Sequence, residues 1–326
     1  MEAQIVPINP PLASLEALAQ KTRAFIASSK AANTIRAYRA DWADFLTFTD
    51  YYQLYALPAD PATVAIYLTD RSSTLKAATL ARRLNAIAFY HRKAGFIDSP
   101  TYNPLVRETF KGIRRVIGTA QTFKQALLSP EIRQIVASCP ETLSGLRDKA
   151  ILLISFAAIT RRSETASLTV KDILTVPEGI IVTIARSKTD QESSGDRKVG
   201  IPYGADEATC PVRALQRYLK AAGMVSGFAF RAVDQAGRLS PHGLHPDSVG
   251  YIIKRAVARA NLKGVDVKDV AGHSVRARAI TQAAKNGTQE FLIRRQSGHK
   301  PRSKSFDRYI RLGEMFTRNA ASGLGL

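Results

Sequence analysis

The chain has 326 residues, 45% of them hydrophobic and 23% charged, which excludes a disordered polymer and exceeds one ordinary core, so two domains are expected. Lys and Arg number 47 against 27 Asp and Glu, a net charge of +20 with a pI near 10.2. That excess is the footprint of a polyanion binder, and nucleic acid is expected before a membrane surface because no amphipathic anchor is evident.

Cys139 and Cys210 are the only cysteines, too few for a disulfide framework or a cysteine-built zinc site. No run of about 18 apolar residues marks a membrane span, and residues 1–20 lack the order of a signal peptide. A cytoplasmic, nucleoid-associated protein is expected, with residues 1–20 as a flexible lead-in.

In chain order, "NTIRAYRADWADFLTF" reads as a helix with Asn33 or Thr34 as N-cap. Ile35, Tyr38, Trp42, Phe45 and Leu46 fall on one face, leaving Arg36 and Arg39 free for phosphate. Asp60 and Pro61 open a second helix. "TLKAATLARRLNAIAFYHRKAG" spaces Leu80, Leu84, Ile87 and Tyr90 helically and stops at Gly95. Its Arg82, Arg83, Arg92 and Lys93 form a further basic face; such a face is commonly just solvated, but several in one small helical region favour DNA. Periodicity breaks over 114–126, expected as a linker.

Ser129 and Pro130 restart a helix, and "LRDKAILLISFAAIT", 146–160, is apolar nearly all round, as a buried helix should be. "GIIVTIARSKTD" turns strand-like and "RKVGIP" can pair back on it as a hairpin; after "CPVRALQRYLKAAG" and "HPDSVGYIIKRAVARANL" the chain is expected helical again to its end.

Candidate chemistry collects in the second part. Arg161 and Glu164 lie three apart and share a face if the preceding helix continues; a helix-end salt bridge is the plain alternative. Lys188 sits where a strand runs into a turn, and alone reads as a surface lysine. His273 follows Gly272 and, with Arg276, stands on the first turn of a helix whose amides favour anions. Further on come Gly298, His299 and Tyr309, the tyrosine amid Arg302, Lys304, Arg308 and Arg311. Alone, Tyr309 reads as a core tyrosine. Together, two arginines and a histidine can neutralise a phosphodiester transition state, a lysine can protonate a leaving alkoxide, and a tyrosine can attack phosphorus. No acidic cluster suits a two-metal nuclease.

In this order the motifs resemble the tyrosine recombinase (phage integrase) family, most nearly its Cre-type members, over almost the whole chain. The Arg-x-Ser-Glu motif matches Arg161–Glu164, the hairpin lysine Lys188, His-x-x-Arg His273 and Arg276, Gly-His Gly298 and His299, and "RYIR" carries Tyr309. Departures are Ala158-Ile159-Thr160 for the usual Thr-Gly-Leu, Thr165 for a leucine, His299 for the tryptophan of Cre, and ten positions from His299 to Tyr309, one more than is commonest.

The resemblance implies a mainly α protein with a small β-hairpin or sheet. A helical core-binding domain (21–115), a linker (116–126) and an α+β catalytic domain (127–326) ending in a docking helix would form a C-shaped clamp around DNA. It implies a site-specific recombinase acting through a 3′-phosphotyrosine and a Holliday junction without metal, ATP or other cofactor. Tyr309 would be the nucleophile, and Arg161, Arg276 and His299 would stabilise the transition state. Lys188 would be the general acid, His273 a proton acceptor or phosphate ligand, and Glu164 would orient its basic neighbours. The expected partners are duplex DNA with inverted arms and further copies, a homodimer on one site and a homotetramer in the synapse. A type IB topoisomerase-like enzyme and a catalytically silent DNA-binding protein are the rival readings.

Overall fold

The computed structural model describes residues 12–28, 30–118, 129–184, 197–270, 274–317, 319 and 321. The chain divides into two compact units, within 1–122 and 123–326.

The first unit is helical: α1 (Leu12–Ser28), α2 (Ala32–Tyr51), α3 (Pro61–Ser72), α4 (Ala77–Lys93) and α5 (Pro104–Ile117). Phe45, Phe48, Val64, Tyr67, Leu68, Leu80, Ile87 and Val106 form its core, and Trp42 stacks on Tyr90 at 4.8 Å. Asp60 caps α3 as read, accepting from the Ala62 N–H at 2.7 Å. Four local expectations need correction. α1 begins at Leu12, inside the expected lead-in, and α5 runs to Ile117, into the expected linker. The N-cap of α2 is Ala31, because the Asn33 side chain instead accepts from Arg36. Leu46 is exposed, one position past the packed face.

In the second unit α6 (Ser129–Ala137) precedes α7 (Leu143–Ala157), a helix with ten buried residues. Its apolar circumference predicts that burial, yet it ends three residues earlier than the pattern suggests. Ile159 turns the chain in the left-handed region at φ 52, and α8 (Arg162–Ser167) starts afresh. The expected hairpin is part of a three-stranded antiparallel sheet. A strand β1 (Ile173–Val176) that the pattern reading missed pairs with β2 (Gly179–Ile184), which pairs with β3 (Arg197–Pro202). Ile184 faces Arg197 at the base of the β2–β3 connection.

α9 (Pro211–Ala221) is followed by a small hairpin, β4 (Arg231–Val233) and β5 (Leu239–Gly243), in a stretch whose pattern announces no element. Its strands are too short to show a period of two. Then come α10 (Pro246–Ala260), α11 (Ser274–Lys285), α12 (Glu290–Ser297) and α13 (Lys304–Glu314). A large core joins α6, α7, the sheet, α9 and α10. A separate cluster of Ile159, Ala279, Ile280, Ala284, Ile293, Phe306 and Ile310 binds α11, α12 and α13 to the turn after α7. Gly313 lets α13 lie against α11, for a Cβ there would stand 2.5 Å from the Thr281 carbonyl oxygen. No helix among the described residues is long and apolar enough to cross a membrane.

Candidate active site

The site is built around one buried carboxylate. Glu164, 1% exposed, is the third residue of α8 and accepts the backbone N–H of Arg161 at 2.9 Å, the reciprocal half of a capping box. The helix does not continue through Arg161, so the shared-face premise fails; the pair meets through the cap instead. The Arg161 guanidinium reaches Glu164 Oε1 at 2.5 Å and the Gly298 carbonyl at 3.4 Å.

Arg276 projects from the first turns of α11 and is 4% exposed. It donates to the Ile159 carbonyl, to the Ser297 carbonyl at 2.5 Å and to His299 Nδ1 at 3.2 Å, and lies 3.9 Å from Glu164 Oε2. The turn after α7 therefore presents its carbonyl to the arginine that the cluster of α11 holds in place. Gln296 secures the same end of α7, donating to the Ala157 carbonyl at 2.5 Å. Burial first, then the like charges of Arg161 and Arg197, pulls Arg276 down to about 9, with Glu164 and Tyr309 acting the other way. It keeps its proton at neutral pH, but under a repulsion that an incoming anion would relieve.

His299 lies in the turn between α12 and α13 with its ring 5.1 Å from that of Phe306. Its Nδ1 is also 2.8 Å from Ser297 Oγ. A guanidinium only donates, so Nδ1 accepts from Arg276 and the ring proton sits on Nε2. Tyr309 is half-buried on α13, against the cluster that contains Ile159 and Phe306.

A family model of the phage integrase family matches residues 125–314. The chain belongs to that family. It is 37% identical over 309 residues to an integrase/recombinase XerD homolog of Selenomonas ruminantium, covering 94% of this chain and 89% of the relative. Its fold is that of the Tn1549 transposon integrase in complex with transposon right end DNA, which is 14% identical with a TM-score of 0.62, covering 90% of this chain and 92% of the other. A lambda integrase tetramer bound to a Holliday junction is likewise 14% identical with a TM-score of 0.58, covering 92% and 78%. The mainly helical architecture with small antiparallel sheets is thus shared with these phage integrase structures.

Of the residues singled out in the sequence, Arg161, Glu164, Arg276 and His299 are brought into one connected cluster, with Tyr309 packed on the adjoining apolar cluster. Lys188 and His273 lie outside the described residues. Among the candidate DNA contacts, Arg82 pairs with the buried Asp41 at 2.7 Å, and Arg83 pairs with Asp44. Arg36 donates to Asn33 and Arg92 to the Tyr102 hydroxyl, while Arg39 and Lys93 are exposed.

One residue of the cluster escaped the motif reading. Arg197 opens β3 and donates to Glu164 Oε2 at 2.8 Å and to the Gln296 carbonyl. Its signal was present: in "RKVGIP" it has the strand parity of the buried Val199 and Ile201, a cation on the core face.

Proposed function

We propose that this member of the phage integrase family is a site-specific recombinase that breaks and rejoins DNA through Tyr309. The observation that carries the reading is the convergence of Arg161, Arg276 and His299 on one buried site, with Glu164 anchoring the two arginines, Arg276 holding His299, and Tyr309 packed on the adjoining apolar cluster. The phenol oxygen attacks the scissile phosphorus while the bond to the 5′-oxygen breaks, giving a 3′-phosphotyrosine and a free 5′-hydroxyl. One phosphodiester replaces another, so the bond energy is kept for the reverse attack by the 5′-hydroxyl of a partner strand. Arg161 and Arg276 hold the non-bridging oxygens as charge accumulates, and the Nε2–H of His299 donates to one of them. Lys188 protonates the leaving oxygen, and His273 serves as proton acceptor or phosphate ligand. Glu164 holds the basic groups in place.

The tetramer on a Holliday junction seen for lambda integrase supports assembly of this chain as dimers on one site and tetramers in synapsis. The helical first unit supplies a second DNA-contacting surface, and the tail beyond α13, opening with the exposed Met315 and Phe316, docks on a neighbouring copy. The reaction takes place in the cytoplasm, where the DNA is.

The test incubates the full chain with DNA of the source replicon, quenches with detergent and sequences the ends of covalently attached fragments. Wild-type protein is expected to attach at one recurrent site through the 3′ end. Tyr309→Phe is expected to retain DNA in a native gel but form no adduct. Persisting adducts in Y309F would overturn the nucleophile. Site-independent relaxation of supercoils would favour a topoisomerase, and DNA retention without adducts a silent binding protein.

A further inference from the structure

Arg197 has no part in the chemistry described above, yet it makes more ties within the cluster than an arginine on a strand edge needs. One arm of its guanidinium reaches Glu164 Oε2 at 2.8 Å; the other donates to the Gln296 carbonyl at the end of α12. Its shaft lies along Gly298: a Cβ on that glycine would stand 2.8 Å from Arg197 Nε and 3.1 Å from Cδ. The side chain is 15% exposed. Three separate pieces of chain thus meet on one planar group: the base of the β2–β3 connection, the start of α8, and the turn that carries His299.

The electrostatics argue against a merely structural arginine. Burial and the nearby Arg161 both work against its charge, with Glu164 the compensating group. Three guanidiniums, of Arg161, Arg197 and Arg276, share the single carboxylate of Glu164. A fold seeking stability alone would not bury a third cation there. The surplus of positive charge is useful only if an anion comes to the site, and a phosphodiester under attack carries more negative charge than one at rest.

We propose that Arg197 is a positioning residue for cleavage: it locks Glu164 against the α12–α13 turn, so that Arg161 and His299 are held in register before phosphate arrives. Gly298 belongs to the same device. Its φ of +64 suits a glycine on backbone grounds, and the absence of a Cβ also leaves the room in which the Arg197 shaft lies. A fork that ties two acceptors at fixed spacing is beyond the reach of a lysine, which offers a point charge on a flexible stem.

The proposal rests on the recombinase reading, and its test separates the two. The duplex is the one recovered from wild-type adducts, and the rate of adduct formation under single turnover is measured beside affinity and thermal unfolding. Arg197→Lys is expected to slow adduct formation on the order of tenfold, and Arg197→Ala on the order of 100-fold. DNA affinity should stay within about threefold of wild type. A loss confined to affinity would overturn the proposal, as would a wild-type rate in both variants. Should R197A fail to fold, R197K decides alone.

A second measurement needs no DNA. Gly298→Ala is introduced into wild type and into R197K, and unfolding in urea is compared. The penalty of G298A is expected to shrink in R197K, where a flexible stem no longer tied at two acceptors can move aside; equal penalties would show that Arg197 does not brace the His299 turn. If the wild type forms no adduct on any DNA, the recombinase reading falls and the proposal falls with it. If the wild type cleaves and the Arg197 variants match it, the proposal alone fails.

Discussion

Burial, followed by Arg276, Arg161, Arg294 and Arg197, pushes His299 down to about 3, so the ring is neutral wherever the protein works. Neutrality suits its place: Nδ1 is fixed as an acceptor by Arg276 and Nε2–H is left to donate. The same displacement sets a dependence of stability on pH. An unfolded chain protonates this imidazole near its ordinary value of about 6.5, well before the folded chain does. Its contribution is therefore whole above about pH 6.5 and is lost as pH falls from there toward about 3. Urea unfolding of wild type and His299→Gln at pH 7.5 and pH 5 checks this. The wild type is expected to lose more stability than H299Q across that interval; equal losses would mean that His299 is not held neutral. Arg161, Arg276 and His299 were legible because each sits in a short motif. For Arg197 the core-facing strand parity is legible but its role is not, because that depends on contacts with residues 33 and 99 positions away.

The turn between α7 and α8 is where local pattern and structure disagree most. The apolar run continues to Ile159, and nothing in its composition announces an end at Ala157. The fold breaks the helix there with a β-branched residue in the left-handed region, at a cost of roughly 1–2 kcal/mol. Two gains offset it: the Ile159 carbonyl is turned onto Arg276, and its side chain packs with Ile280, Ile293, Phe306 and Ile310. The family's usual glycine would adopt this φ freely but would supply no side chain to that cluster. Ile159→Ala removes the packing and keeps the Cβ in the unfavourable region, so it should cost about 2–5 kcal/mol. Ile159→Gly removes one more carbon and should cost no more, since the strain goes with it. Ile280, mid-helix in the same cluster, is the control: there glycine should be worse than alanine by about 1 kcal/mol. Chemical denaturation of the four variants measures the order, and glycine worse than alanine at both positions would refute the strain. Elements whose signals are local, such as the Asp60–Pro61 start of α3 or the β-branched run of β2, were readable; short β1, β4 and β5 were not, because their pairing is set by partners elsewhere in the chain.

For the whole molecule, the net charge of +20 does not count the cations that can meet phosphate. In the first unit Arg71 and Arg83 are bound to Asp44, and Arg82 to Asp41. In the second, Arg147 and Arg255 share Asp148, and three arginines share Glu164. Such pairs hold helices together and release few counterions when DNA arrives. The salt dependence of binding should reflect the exposed remainder, with a slope of roughly −0.9 for each phosphate neutralised. Affinity on the recovered duplex, measured between low and moderate salt, is expected to fall steeply for the wild type. Arg39→Ala and Lys93→Ala should each flatten the slope by about 1 while leaving the unfolding temperature unchanged. Arg83→Ala should do the reverse, since its side chain is 12% exposed and its loss leaves the partly buried Asp44 with Arg71 as its one remaining arginine. A wild-type slope near zero would rule out binding through the backbone phosphates. An R83A slope as flat as that of R39A would mean that DNA takes Arg83 away from Asp44, making the pair a store of charge opened by binding rather than a strut of the fold.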